Sequence, residues 1–120
     1  MQKKELDLTK RTKSFALQVV RMFAALPKTT EAQVLGKQIL RSDASVGANY
    51  REAYRARSRT EFVAKCCDSL RELEETAYWL ELLSETNCAA SERLSVICQE
   101  CDELTAIFVT ILERSKEPPS

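Results

Sequence analysis

Cys98-Gln99-Glu100-Cys101 spells the CxxC spacing of redox and zinc sites, and Cys66-Cys67 supplies two more thiols. Working versions of that spacing sit at turns or helix starts, where a thiolate is stabilised and a ligand can approach. Here the pair falls inside a helical pattern with both sulfurs on its apolar face. If the two helices are antiparallel about residue 88, Cys98 and Cys101 stand opposite residues near 78 and 75. Cys66 is then about ten residues along the axis, or ~15 Å at ~1.5 Å per residue. A four-thiolate site fails within one chain, and the cysteines read as small buried hydrophobes. Glu72, Glu74, Glu75 and Glu81 invite comparison with di-metal helical bundles, but that class uses Glu-x-x-His pairs. The chain has no histidine, which also removes most general-base, triad and zinc-enzyme schemes. No Gly-rich loop is present to cradle a phosphate. The expectation is a non-enzymatic protein with no catalytic residues, no metal site and no cofactor.

The remaining chemistry is electrostatic. Formal net charge is zero, which argues against a strongly basic RNA-coating protein. The distribution is uneven: residues 1–28 hold seven Lys/Arg against two acids, and 51–65 hold five against two. Residues 66–104 reverse this, with ten acids against two arginines. Lys10, Arg11 and Lys13 form one basic group; Arg51, Arg55, Arg57 and Arg59 form another around a turn. In an up-down bundle the start of the first helix lies at the same end as the turn between the second and third, so the two groups are expected to merge into one basic end able to bind phosphate. The other reading is an ordinary solvated end that complements the acidic helices of a neighbouring subunit.

The elements that must position these groups are four helices. Two glycines and three prolines are too few for a turn-rich β domain, and Ala, Leu, Glu, Arg and Lys abound. At 120 residues the chain is one domain's worth. Residues 1–7 read as a flexible charged arm and 116–120 as a disordered tail, with the bundle over 8–115. The first helix is expected near Leu8, capped by Asp7 or Thr9, with Phe15, Val19, Met22 and Leu26 facing the core, and Pro27 ends it. Thr29 or Thr30 caps the second, whose core face runs Leu35, Ile39, Ser42, Val46, Asn49, Tyr50 and Ala53. Gly47 in its interior fits the close approach of a neighbouring helix.

Ser58-Arg59-Thr60-Glu61 is a capping box that opens the third helix. Its core face is Phe62, Cys66, Ser69, Leu70, Leu73, Ala77 and Leu80. Tyr78, Trp79 and Leu82 fall outside that face, which points to burial against a second subunit. Trp79 alone reads equally well as wedged at the flank of the core. Asn87 to Ala90 form the next turn, and the fourth helix presents Leu94, Ile97, Cys98, Cys101, Leu104, Phe108 and Leu112 inward. Val96 and Ile107 fall on its opposite side, again a candidate oligomer interface. Short connections make the helices antiparallel neighbours, so the fold class is all-α, an up-down-up-down four-helix bundle. Pairing the second and third helices about residue 57 puts Arg41 near Glu72 and Glu75, an ion pair that fixes register, and Ser45 beside Ser69. Asn49 and Glu52 serve the same role near the turn.

No apolar leader follows Met1, and no uncharged run reaches a membrane span. Five cysteines in irregular spacing fit a reducing compartment, so the expected location is cytoplasmic, with no membrane partner.

These residues carry a resemblance. Leu26-Pro27, Gln38-Ile39-Leu40-Arg41-Ser42 and Ser45-Val46-Gly47-Ala48-Asn49-Tyr50-Arg51-Glu52-Ala53 begin the matching pattern. It continues through Ala56-Arg57-Ser58, Glu61-Phe62, Lys65, Glu72, Glu75-Thr76 and Tyr78-Trp79-Leu80-Glu81-Leu82-Leu83. Together they resemble the bacterial four-helix-bundle family encoded in intervening sequences of 23S ribosomal RNA genes. Many members have Asn-Ile-Ala-Glu-Gly where this chain has Asn49-Tyr50-Arg51-Glu52-Ala53. The family is similar in fold to the accessory variability determinant of diversity-generating retroelements. The resemblance implies a homopentamer with a nucleic-acid-facing basic surface and, by analogy, a reverse transcriptase as partner. Two functional readings follow: an oligomeric RNA- or DNA-binding protein, or a protein-interaction scaffold without nucleic-acid binding.

Overall fold

The computed structural model describes residues 2–116, with side chains from Leu8 onward. It contains α1 (Gln2–Ala25), α2 (Thr30–Tyr54), α3 (Arg59–Glu85) and α4 (Ser91–Ser115), and no strand among the described residues. Each helix packs on its neighbours in sequence, and α4 closes the ring against α1. The result is an antiparallel four-helix bundle of 53 × 21 × 20 Å.

Local signals set most helix ends. The Thr29 hydroxyl accepts the Ala32 N–H at 3.3 Å and opens α2, satisfying one of the orphan amides of a first turn. Ser58 does the same for the Glu61 N–H at 3.0 Å. The return arm of that box differs from expectation: the Glu61 carboxylate accepts from the Arg57 N–H at 3.0 Å, one residue earlier than Ser58. Asn87 supplies the turn after α3 with φ 56°, a conformation asparagine tolerates better than most residues. The first helix departs from the sequence reading. It begins at Gln2 rather than near Leu8, so neither Asp7 nor Thr9 caps it. Of the expected tail 116–120, Lys116 caps α4 and 117–120 lie outside the described residues.

The core follows the helical stripes. Phe15, Val19, Met22, Ile39, Val46, Leu73, Leu80, Ile97, Leu104 and Phe108 are all buried. Tyr50 and Phe108 meet edge-on across the bundle, ring centroids 5.7 Å apart at 83°, the orientation aromatic quadrupoles favour. Leu83 is also buried, one turn beyond the expected inward face of α3.

Polar staples fix the α2–α3 register. Ser42 and Thr76 hydroxyls lie 2.7 Å apart in full burial. Ser69 donates to the Val46 carbonyl at 2.9 Å. The expected partner Ser45 instead turns back on its own helix, donating to the Arg41 carbonyl at 2.9 Å. Arg41 reaches both anticipated glutamates: Nη1 lies 3.5 Å from Glu72 Oε1, and Nη2 pairs with Glu75. Lys65 bridges to Glu52 at 2.8 Å nearer the turn.

Close packing has a distinct geometry at the two glycines. A Cβ on Gly36 would fall 2.5 Å from a ring carbon of Phe23 and 2.7 Å from Leu26. One on Gly47 would fall 3.3 Å from the Thr12 hydroxyl. Both glycines therefore face α1, and Gly36, which the sequence stripe passes over, permits the tighter approach.

Candidate nucleic-acid interface

The α2–α3 turn gathers the basic residues that the sequence singles out. Arg51 sits in the last turn of α2, Arg55 caps that helix, Arg57 lies in the connection and Arg59 opens α3. All four are exposed. Arg51, Arg55 and Arg57 have no side-chain ion pair with any described carboxylate, whereas Arg59 reaches across to the Ser115 carbonyl at the end of α4. The connection is short because Ser58 can cap α3 directly, and this crowds four guanidinium groups into nine residues.

The other basic group does not join them as expected. Thr12 is level with Gly47, and Tyr54 lies seven residues farther along α2, so Lys10, Arg11 and Lys13 sit ~10 Å down the bundle from the turn. The longer α1 is the reason: these residues occupy its middle turns, not its start. Arg11 is also committed elsewhere. Its Nε donates to Glu100 at 2.7 Å and its Nη2 to Glu100 at 2.9 Å, with Glu103 as a further partner. The two carboxylates raise the guanidinium pKa above its usual range, and the triad ties α1 to α4. Lys10 and Lys13 remain exposed.

The residues expected at an oligomer interface occupy two faces. On α3, Tyr78 is 55% exposed and its ring tilts against Trp79 at 5.3 Å. Trp79 is half-buried, packs against the core edge and donates its indole N–H to Glu75 at 2.9 Å. Leu82 is half-buried, and Val34 of α2, 54% exposed, was not anticipated. On α4, Val96 is 56% exposed. Ile107 departs from its expected place opposite the core: it is half-buried and packed against it. It lies one turn beyond Glu103, on the flank that α1 covers through Arg11.

The thiols fit a packing role. Burial pushes the Cys66 thiol up to about 12 and Cys101 likewise to about 12, so both stay protonated and poorly nucleophilic at neutral pH. Cys101 donates to the Leu73 carbonyl at 3.5 Å. Cys98 and Cys101 line a cleft of about 270 Å³ between α3 and α4, with Ala77, Leu80, Glu81 and Asp102. No group of three or more potential metal ligands converges among the described residues. No described helix is long and apolar enough to cross a membrane.

Sequence reasoning passed over Asp43. It is 1% exposed, its Oδ1 has no hydrogen-bond partner, and burial pushes its carboxyl up to about 8. The signal was present: residues 36, 39, 43, 46 and 50 recur at helical spacing, and an acid stands at the centre of that inward series.

A solved structure shares this architecture. A crystal structure from Bacteroides thetaiotaomicron VPI-5482, of a protein of unknown function in the S23 ribosomal protein family, superposes with a TM-score of 0.84. The two are 35% identical over 92% of this chain and 98% of that one. No curated protein matches the sequence. The family model described as 23S rRNA-intervening sequence protein matches residues 4–110, nearly the whole four-helix bundle, and the chain belongs to that family.

Proposed function

We propose that this protein is a non-enzymatic homo-oligomer, pentameric by its family resemblance, that binds RNA or DNA through the α2–α3 turn. The observation that carries the reading is the set of exposed guanidinium groups of Arg51, Arg55 and Arg57, none of them ion-paired with a described carboxylate. Guanidinium groups match phosphate geometry, and clustering them raises local affinity for a polyanion. Arg59 adds charge at the same place, while Lys10 and Lys13 extend the basic surface along α1. Arg11 belongs to the bundle's own α1–α4 tie rather than to this surface. Exposed apolar side chains on different helices, Tyr78 with Val34 and Val96 elsewhere, support self-association as the way this surface is multiplied. A reverse transcriptase is a partner by family analogy alone.

The test is fluorescence anisotropy with structured RNA and with duplex DNA at two salt concentrations. Binding should weaken steeply with salt, each neutralised phosphate adding a slope of about −0.7 to −0.9 in log K against log salt. Reversing Arg55→Glu and Arg57→Glu together should abolish binding at physiological salt while leaving the helical content unchanged. Affinity unchanged by that double reversal would refute the reading.

A scaffold role without nucleic acid is the second reading. The neutral net charge and the diversion of Arg11 and Lys65 into internal pairs favour it. It requires no nucleic-acid affinity at physiological salt and oligomers that are lost on Val96→Asp.

A further inference from the structure

Asp43 occupies the middle of the α1-facing strip of α2. Gly36 lies seven residues before it and Gly47 four after, both whole-turn spacings. A Cβ at either glycine would meet α1, at Phe23 and Leu26 in one case and at Thr12 in the other. From a further side α4 brings Cys101, whose thiol is raised in part by the Asp43 charge. Asp43 is thus enclosed where α1, α2 and α4 meet, with Oδ1 lacking any hydrogen bond. The two glycines let α1 close tightly over it. The α1–α4 seam is the least extensive of the four helix contacts. Arg11 with Glu100 and Glu103 holds it, together with Arg93 donating to the Arg21 carbonyl at 3.2 Å.

An ionised carboxylate in such a place must be paired or hydrated. No described cation perturbs Asp43; burial alone raises it. The Cys101 thiol of α4 stays neutral across the physiological range, and Cys98 is raised as well. Arg11 of α1, held by Glu100 and Glu103, keeps its charge. No titratable group of α3 acts on Asp43. The remaining route to hydration is movement of a helix, and α1, which both glycines bring close on the Asp43 face of α2 and which shares the weakest seam with α4, is the helix that covers it.

We propose that Asp43 is a proton-controlled latch: holding its proton, it keeps α1 closed on the rest of the bundle, and losing it accompanies α1 opening to water. The closed form binds a proton that the open form releases, so opening becomes more frequent as pH rises. Burial raises the Asp43 carboxyl from the ordinary aspartate value of 3.8, which hydration on opening would restore, to about 8. Across that window the opening constant climbs about tenfold per pH unit, and above about 8 it levels off.

Hydrogen exchange of the full chain, read by mass spectrometry from about pH 5.5 to about 9, tests this. Rates are divided by the intrinsic exchange rate at each pH to give protection factors. In the wild type, protection of α1 amides should fall about tenfold per pH unit up to about pH 8 and then flatten. In Asp43→Asn it should stay level with pH, and at every pH wild-type α1 amides should be less protected than those of α2 and α3, because α1 opens without the rest of the bundle unfolding. Asp43→Ser serves the same comparison if the asparagine variant does not fold. The latch is overturned if wild-type α1 protection does not vary with pH or falls equally in the variants. It is also overturned if α1 amides are as well protected as those of α2 and α3, which would leave global unfolding as the only opening.

Discussion

Ser42 of α2 and Thr76 of α3 place their hydroxyl oxygens 2.7 Å apart with no exposure to solvent. Thr76 already donates its proton to the Glu72 carbonyl at 2.7 Å, so the proton between the two hydroxyls comes from Ser42. Thr76→Val removes the nearer acceptor of the Ser42 hydroxyl, leaving it only the Ile39 carbonyl at 3.4 Å, and should cost about 1–3 kcal/mol, whereas Ser42→Ala, which leaves Thr76 still bonded to Glu72, should cost nearer 1 kcal/mol. Urea denaturation followed by circular dichroism gives the order; equal costs would contradict the assignment of the proton.

Arg11 divides the basic residues into structural and functional groups. Arg11→Ala should lower stability by about 1 kcal/mol or less, because the pair with Glu100 is partly exposed and screened. The same substitution should leave nucleic-acid affinity near the wild-type value. Arg55→Glu with Arg57→Glu should do the reverse, which thermal melts and anisotropy measured on the same samples will show.

Gly36 and Gly47 face one helix at different distances. Replacing a helix-interior glycine by alanine gains about 1 kcal/mol of propensity. At Gly36 that gain meets overlap with Phe23 and Leu26, and Gly36→Ala should be net destabilising by about 1–2 kcal/mol. Gly47→Ala needs Thr12 to yield only slightly and should lie within about 1 kcal/mol of wild type. Melting temperatures of the two variants provide the comparison.

The carboxyl of Asp43 also sets a pH slope for global stability. Its folded value of about 8 lies above the 3.8 of an exposed aspartate, so its favourable contribution is complete below pH 4 and is lost as pH rises toward 8. That loss approaches ~1.4 kcal/mol per pH unit in the middle of the window. Asp43→Asn should remove this component and gain stability over wild type at pH 8, measured as the shift of the urea midpoint between pH 5 and pH 8.

Self-association should depend on the exposed aromatic face. Tyr78→Glu changes a residue 55% exposed and should shift sedimentation toward the monomer without loss of helicity. Val96→Asp on α4 should act similarly. Trp79→Ala would mix two effects, since its ring packs on the core edge and its indole N–H bonds Glu75. A wild-type protein sedimenting as a monomer at micromolar concentration would remove the assembly reading.

The bundle was legible because helices announce themselves locally. The stripe from Phe15 to Leu26, the Ser58 cap and the scarcity of glycine and proline depend on neighbours a few residues away. Antiparallel counting from the turn even placed Arg41 beside Glu72 and Glu75. It missed by one residue at Ser69, whose partner is the Val46 carbonyl, because side chains lean along their helices and counting does not. The remaining features are decided by which helices touch. Arg11 pairs with carboxylates 89 and 92 residues away, and no local pattern marks such a partner. Lys10 and Lys13 stand away from the turn because α1 starts earlier than its apolar stripe suggests. Asp43 looks like one polar residue among many in the chain, and becomes an enclosed acid only when α1 and α4 close over it. The sequence by itself determined four antiparallel helices, the family and the cluster of arginines at one turn, since each rests on short-range spacing. The tertiary structure alone decided which charges are spent inside the molecule and which face outward, because burial and long-range pairing exist only after the helices pack.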